Sequence, residues 1–154
     1  MPSSWDKAAA GYLSEWVPRF KPYYRDLADE LALQPGASAL VVSSGPGVEA
    51  QILARALAPG GRVVATDTSP EMVRLAQEQA DRAGVAKELT CRVADCADTL
   101  GEKWDVIACS FGLWQIEDGA RTETIAAWSK ALKPAGKVAI IVWGPDDPSD
   151  PFEQ

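Results

Sequence analysis

Two spacings of apolar residues divide the chain. At the start, Trp5, Ala8/Ala9, Tyr12 and Trp16 recur at helical spacing, which predicts an amphipathic helix over 4–17. Pro18 is expected to stop it. Pro22 suits the first turn of a second helix, with Tyr24, Leu27, Ala28 and Leu31 on one face, ending at Leu33-Gln-Pro-Gly36. From there short apolar runs alternate with helical stretches. Strands are predicted over about 38–43, 63–65, 88–93, 105–110 and 137–143. Helices are predicted over about 48–58, from Ser69-Pro70 to Ala83-Gly84, and over 119–132. Turns fall at Pro59-Gly-Gly61 and Lys133-Pro-Ala-Gly136. Strand–helix alternation of this kind predicts a parallel sheet in an α/β domain. The fourth run, Asp105 to Ser110, is almost wholly apolar and so belongs at the centre. The domain is expected to span residues 1–144, with 1–34 as a helical cap and 145–154 as an irregular acidic tail.

The junctions between elements carry the chemistry. The first strand runs into Ser43-Ser-Gly45-Pro-Gly47 and then a helix. Glycines there let the backbone approach a ligand, and the helix N-terminus offers free N–H groups. The second strand ends in Asp67, about 20 residues on, where a carboxylate can accept both hydroxyls of a ribose. Asp95 follows the third strand and can accept from an adenine amino group, beside the backbone N–H of Cys96. Met72 suits an adenine face or an ordinary core position equally. Two cofactors use such a framework, a nicotinamide dinucleotide and S-adenosylmethionine. Gly45, Gly47 and Ala50 also read as G-x-G-x-x-A, a nicotinamide variant.

Composition narrows the choice. The 154 residues carry 15 Lys plus Arg against 22 Asp plus Glu, a net charge of −7, so a nucleic-acid partner is not expected. No apolar run approaches the roughly 20 residues of a membrane span, and Met1 to Lys7 lacks the apolar core of a signal peptide. Cys91, Cys96 and Cys109 are odd in number without metal-ligand spacing, which reads as a cytoplasmic protein with reduced thiols. With no histidine, a histidine base and a histidine-held metal are excluded.

In order, these motifs resemble those of class I S-adenosylmethionine-dependent methyltransferases of the small-molecule, quinone-biosynthesis-like branch. The resemblance rests on Val42-Ser-Ser-Gly-Pro-Gly47, Ala65-Thr-Asp67-Thr-Ser-Pro-Glu-Met72, Ala94-Asp95-Cys96, Trp104 to Leu113, and Ala131-Leu-Lys-Pro-Ala-Gly136 followed by Trp143-Gly144. It implies a three-layer, doubly wound, mostly parallel sheet in the order 3-2-1-4-5, lacking the last strands of the fold. It implies methyl transfer from S-adenosylmethionine to a small organic acceptor. By the same resemblance Ser43, Ser44, Gly45, Gly47, Asp67, Thr68, Met72, Asp95, Cys96, Ser110 and Phe111 would hold the cofactor. Trp5, Tyr12 and Trp114 would cover the site or meet the acceptor. No residue is assigned as catalytic base. A cofactor-binding module without turnover and a nicotinamide-binding protein are the alternatives.

The chain departs from the family pattern where the first strand usually ends in an acidic residue and then glycine; here Val41 and Ser43 stand there. The acidic residue normally helps organise the amino-acid end of the cofactor. Relatives also continue past the fifth strand. As an edge, Lys137 to Trp143 has one charge and five consecutive apolar residues from Val138 to Val142. Such an edge recruits other chains, so a homodimer through the fifth strand is expected.

Overall fold

In the computed structural model, which describes residues 3–145, five strands form one parallel sheet. They are β1 (Ser38–Val41), β2 (Arg62–Asp67), β3 (Leu89–Val93), β4 (Trp104–Ser110) and β5 (Leu132–Ile141), ordered β3-β2-β1-β4-β5. Period-2 alternation sends Ala39, Val41, Val106 and Ala108 to one face and Leu40, Val42, Ile107 and Cys109 to the other. The first face is covered by α2 (Val17–Leu31), α3 (Val48–Leu57) and α4 (Pro70–Ala83), the second by α5 (Asp118–Lys130). Both central strands are therefore buried on both sides, which is why the β4 segment is so apolar. The caps of α4 are as the sequence predicts: the Ser69 hydroxyl accepts from Met72 N–H, and Gly84 closes the helix at φ 71°.

Two expectations are corrected. Pro18 does not stop the first helix. A short helix α1 (Ser4–Gly11), opened by a reciprocal Ser3–Asp6 cap, runs through a widened π turn at Tyr12–Trp16 directly into α2. Val17 N–H reaches back five residues to Tyr12 O. The extra residue carries carbonyls away from the Pro18 ring, and Pro18 has no N–H left to place. Pro22 consequently lies inside α2 rather than in its first turn. The helix continues past it because Phe20, Tyr24, Ala28 and Leu31 are all buried along that face.

The second correction concerns β5, which begins at Leu132 rather than Lys137 and ends at Ile141 rather than Trp143. Leu132 pairs with Trp104, and the next pair is Lys137 with Val106, so Lys133–Gly136 loops out as a bulge within the strand. Gly136 is required there: a Cβ would stand 2.9 Å from Lys133 O and 3.0 Å from Trp104 O. Of the expected acidic tail, residues 146–154 lie outside the described residues.

Candidate functional site

The site lies at the carboxyl ends of the strands, where β1 turns back into α3. Ser43, Gly45 and Gly47 all take positive φ, at 49°, 52° and 79°. The two glycines serve different ends. A Cβ on Gly47 would lie 2.7 Å from Ala76 Cβ, so this glycine lets α3 pack on α4. Gly45 instead faces the Tyr12 ring, 3.7 Å from where a Cβ would stand. Asp67 ties the turn to the end of β2: Oδ2 accepts from Gly45 N–H at 2.9 Å and Oδ1 from Ser69 N–H at 2.9 Å. Burial raises the Asp67 pKa, and the Ser69, Gly45 and Thr68 N–H groups oppose that shift. A carboxylate has about four acceptor positions, so these three N–H groups leave acceptor capacity for a ligand hydroxyl.

Three adjoining cavities open along this edge. A polar cavity of about 360 Å³ is bordered by Ser43, Asp67, Thr68, Asp95 and Cys96, with Gln115, Ala120 and Thr124 on its far wall. Trp128 Nε1–H donates to Cys96 O at 2.7 Å, which fixes the loop after β3 to α5. The middle cavity is narrow, about 50 Å³, between Ser43, Gly45, Asp67, Met72 and Ser110 on one side and Trp5, Tyr12 and Phe111 on the other. The third, about 560 Å³, is walled by aromatic rings: Trp5, Tyr12, Trp16, Phe20, Phe111, Trp114 and Trp143. Gln115 borders all three. Arg121 holds the short turn Leu113–Gln115 in place by donating to the carbonyls of Leu113 and Trp114, both at 3.1 Å.

The cap and the sheet meet at Phe111, itself at φ 56°. Its ring stacks on Phe20 at 4.4 Å between centroids and tilts against Trp143 at 5.0 Å. Its N–H donates to Ile141 O at 2.9 Å. Helix α1 is held over the site from the other side. Asp6 Oδ1 accepts from Ser69 Oγ at 2.5 Å and from Glu71 N–H at 3.2 Å. Ala9 packs against Met72 and Leu75.

Of the residues named from sequence, nine of those expected on the cofactor line the polar and middle cavities: Ser43, Gly45, Asp67, Thr68, Met72, Asp95, Cys96, Ser110 and Phe111. Ser44 and Gly47 line neither. Ser44 N–H donates to Thr66 O, and its buried Oγ finds no partner among the described residues. Met72 is 2% exposed and belongs mostly to the core beneath α1.

Gln115, Phe20 and Glu49 escaped the sequence reading. Phe20 follows Tyr12 and Trp16 at four-residue steps, a signal hidden by the expectation that Pro18 ends the helix. Glu49 lies on the first turn of α3 and is 4% exposed. It accepts a 2.8 Å hydrogen bond from Ser110 Oγ, and burial pushes its pKa up to about 7. Burial first, then the charges of Asp67 and Glu49, push Tyr12 up to about 12.

Comparison with known proteins identifies the family. Residues 39–136 match the family model described as a methyltransferase domain. The chain is similar to the ubiquinone/menaquinone biosynthesis C-methyltransferase UbiE of Ralstonia pickettii, 29% identical over 120 residues, 75% of this chain and 49% of that protein. It is similar to nocamycin O-methyltransferase of Saccharothrix syringae, 29% identical over 145 residues, 93% of this chain and 50% of that protein. A methyltransferase from Thiobacillus denitrificans, solved in complex with S-adenosyl-L-homocysteine, shares 25% identity at a TM-score of 0.74, over 91% of this chain and 56% of that one. The chain thus spans about half the length of the relatives it matches.

Proposed function

The chain belongs to the methyltransferase-domain family, and we propose that it transfers the methyl group of S-adenosylmethionine to a small apolar organic acceptor. The observation that carries this reading is the row of three adjoining cavities: a polar one at the strand-end carboxylates, a narrow middle one, and a large one walled by aromatic rings. The residues present fit the cofactor. Asp67 offers acceptors for the ribose hydroxyls, and Asp95 with the Cys96 backbone offers an adenine edge its partners. The Gly45 turn leaves room for a ligand beside Tyr12. Neither Asp67, which lines the polar and middle cavities, nor Glu49 behind Ser110 is in an ion pair among the described residues, so no protein cation neutralises either acid.

When bound, S-adenosylmethionine supplies a methyl group on a sulfonium already activated toward displacement. The protein's share is position and dryness. Ser110 and Phe111 border the middle cavity, where the polar and aromatic compartments meet. Tyr12 and Trp5 wall that gap from the cap and exclude water from it. Trp114, Trp16 and Phe20 give the acceptor an apolar surface, and the lining carries one carboxylate, Glu15, and no lysine or arginine, which disfavours an anionic acceptor.

The three cysteines are free, which supports a reducing, cytoplasmic setting. The β5 edge supports self-association of two copies: β5 pairs with β4 alone among the described residues, and Val142 and Trp143 beside it are 56% and 49% exposed. Sedimentation at micromolar concentration tests this, a dimer being expected and a clean monomer overturning it. The principal test is calorimetric titration with S-adenosylmethionine, S-adenosylhomocysteine and NADH. Binding of the first two and not the third is expected; binding of NADH alone overturns the reading.

A further inference from the structure

We propose that Glu49, from the first turn of α3, supplies the carboxylate that meets the ammonium end of the cofactor, in place of the acidic residue that the end of β1 lacks. The inference rests on the S-adenosylmethionine reading above and deepens it.

The argument begins with the alternation along the sheet. Val41 and Ala108 pack on the α2–α3 face, and Ser110, two residues beyond Ala108, falls on that same face. A carboxylate at position 41 would therefore point to the side from which Glu49 arrives. Glu49 reaches that side from α3, two residues past Gly47, and is bound to Ser110 Oγ. Ser110 lines the narrow middle cavity together with Gly45 and Asp67.

A carboxylate so deeply buried needs a reason to be there, because an unpaired buried charge costs far more than an apolar residue of similar size. Among the described residues, the one hydrogen bond to Glu49 is from the Ser110 hydroxyl, and no lysine or arginine pairs with it. The titratable groups around it are all acidic or neutral: Tyr12 from the cap, Tyr24 from α2 and Cys109 from β4 are each shifted upward, first by burial and in part by the Glu49 charge. Asp67, at the end of β2, adds a second negative charge and lines the narrow middle cavity directly, whereas Glu49 stands behind Ser110 and lines none of the three cavities. An acid held among phenols, a thiol and another acid has no protein cation to pair with, so it holds a proton until a cation arrives. Burial pushes the Glu49 carboxyl up to about 7. An ammonium beside it favours the ionised form, so capture of the cation releases a proton.

The test separates the two ends of the ligand. The full chain is titrated with S-adenosylhomocysteine and with 5′-methylthioadenosine, which keeps the adenine, ribose and thioether and lacks the amino-acid end. Glu49→Gln is expected to weaken S-adenosylhomocysteine at least tenfold and leave 5′-methylthioadenosine within twofold, the second ligand serving also as proof that the variant is folded. In the unsubstituted protein the ratio of the two affinities is expected to fall as pH is lowered from 7.5 to 5.5, with no such fall in Glu49→Gln. Adding Val41→Asp to Glu49→Gln, which returns a carboxylate to the strand end, is expected to recover much of the lost affinity. Equal losses for both ligands, or none for either, overturn the role of Glu49 while leaving the cofactor reading intact. If the unsubstituted protein binds neither ligand, the cofactor reading itself fails.

Discussion

The polar cleft and the aromatic pocket lie side by side, and they are built in opposite ways. The cleft is made at the ends of β1, β2 and β3, from short segments whose backbone does most of the positioning. Gly45 N–H, Ser69 N–H and the Asp67 carboxylate lock one another in place. The pocket is made of side chains from α1, the π turn, α2, the loop after β4 and the residues after β5, brought together by packing. A backbone-built cleft tolerates little change at its glycines and acids. A side-chain-built pocket can lose one ring and keep its neighbours, because each ring also leans on others, as Phe20 does on Phe111.

The largest expected effect forces apart α3 and α4, on which the cleft is built. Gly47→Ala places a Cβ 2.7 Å from Ala76 Cβ at a φ of 79°. Overpacking costs about 1–3 kcal/mol and the left-handed backbone about 1–2 more, so a loss of about 2–5 kcal/mol in urea unfolding is expected. Gly84→Ala, also at positive φ but facing open space, should lose only the backbone share.

Next comes Glu49→Gln in the absence of ligand. The folded-state pKa of Glu49 is raised by burial from the ordinary 4.5 to about 7, so its contribution to stability is fully present below the unfolded pKa and is lost as pH rises through about 7. Gln does not ionise. The variant should match the parent near pH 4 and exceed it by up to about 3 kcal/mol above pH 7. Urea unfolding at the two pH values checks this, and a difference independent of pH would show that burial does not shift the acid.

Asp67→Ala tests whether cleft and pocket are separable. Loss of two hydroxyl contacts, each about 1.5–3 kcal/mol, should weaken S-adenosylhomocysteine at least tenfold. Uptake of 2-naphthol, a neutral probe for the aromatic pocket, should change less than twofold. The smallest effect belongs to Trp114→Ala. This ring is 57% exposed, so stability should hold, while naphthol binds about threefold more weakly and S-adenosylhomocysteine binds as before. Parallel losses of both ligands in either variant would show that the two regions form one site.

Much of this was legible in the chain of residues alone, because it depends on neighbours in sequence. Alternating strands and helices, the Ser69 and Gly84 caps, the glycine turn and the acids at strand ends are local patterns, and they suffice for a parallel α/β sheet; the strand order was implied by the resemblance of the ordered motifs to a known family. Tertiary structure decided the rest. The helix passes Pro18 because one widened turn is less costly than exposing the face that carries Phe20, Tyr24 and Leu31. The Lys133–Gly136 turn became a bulge within β5 because Leu132 still finds Trp104 across the sheet. Glu49 reads as an ordinary acid in the first turn of a helix. Its partner lies 61 positions further along, and only the packing of α3 against β4 brings the two within 2.8 Å and shuts water out. Local propensity cannot encode such a meeting, since it arises from sheet register and helix packing summed over the whole domain.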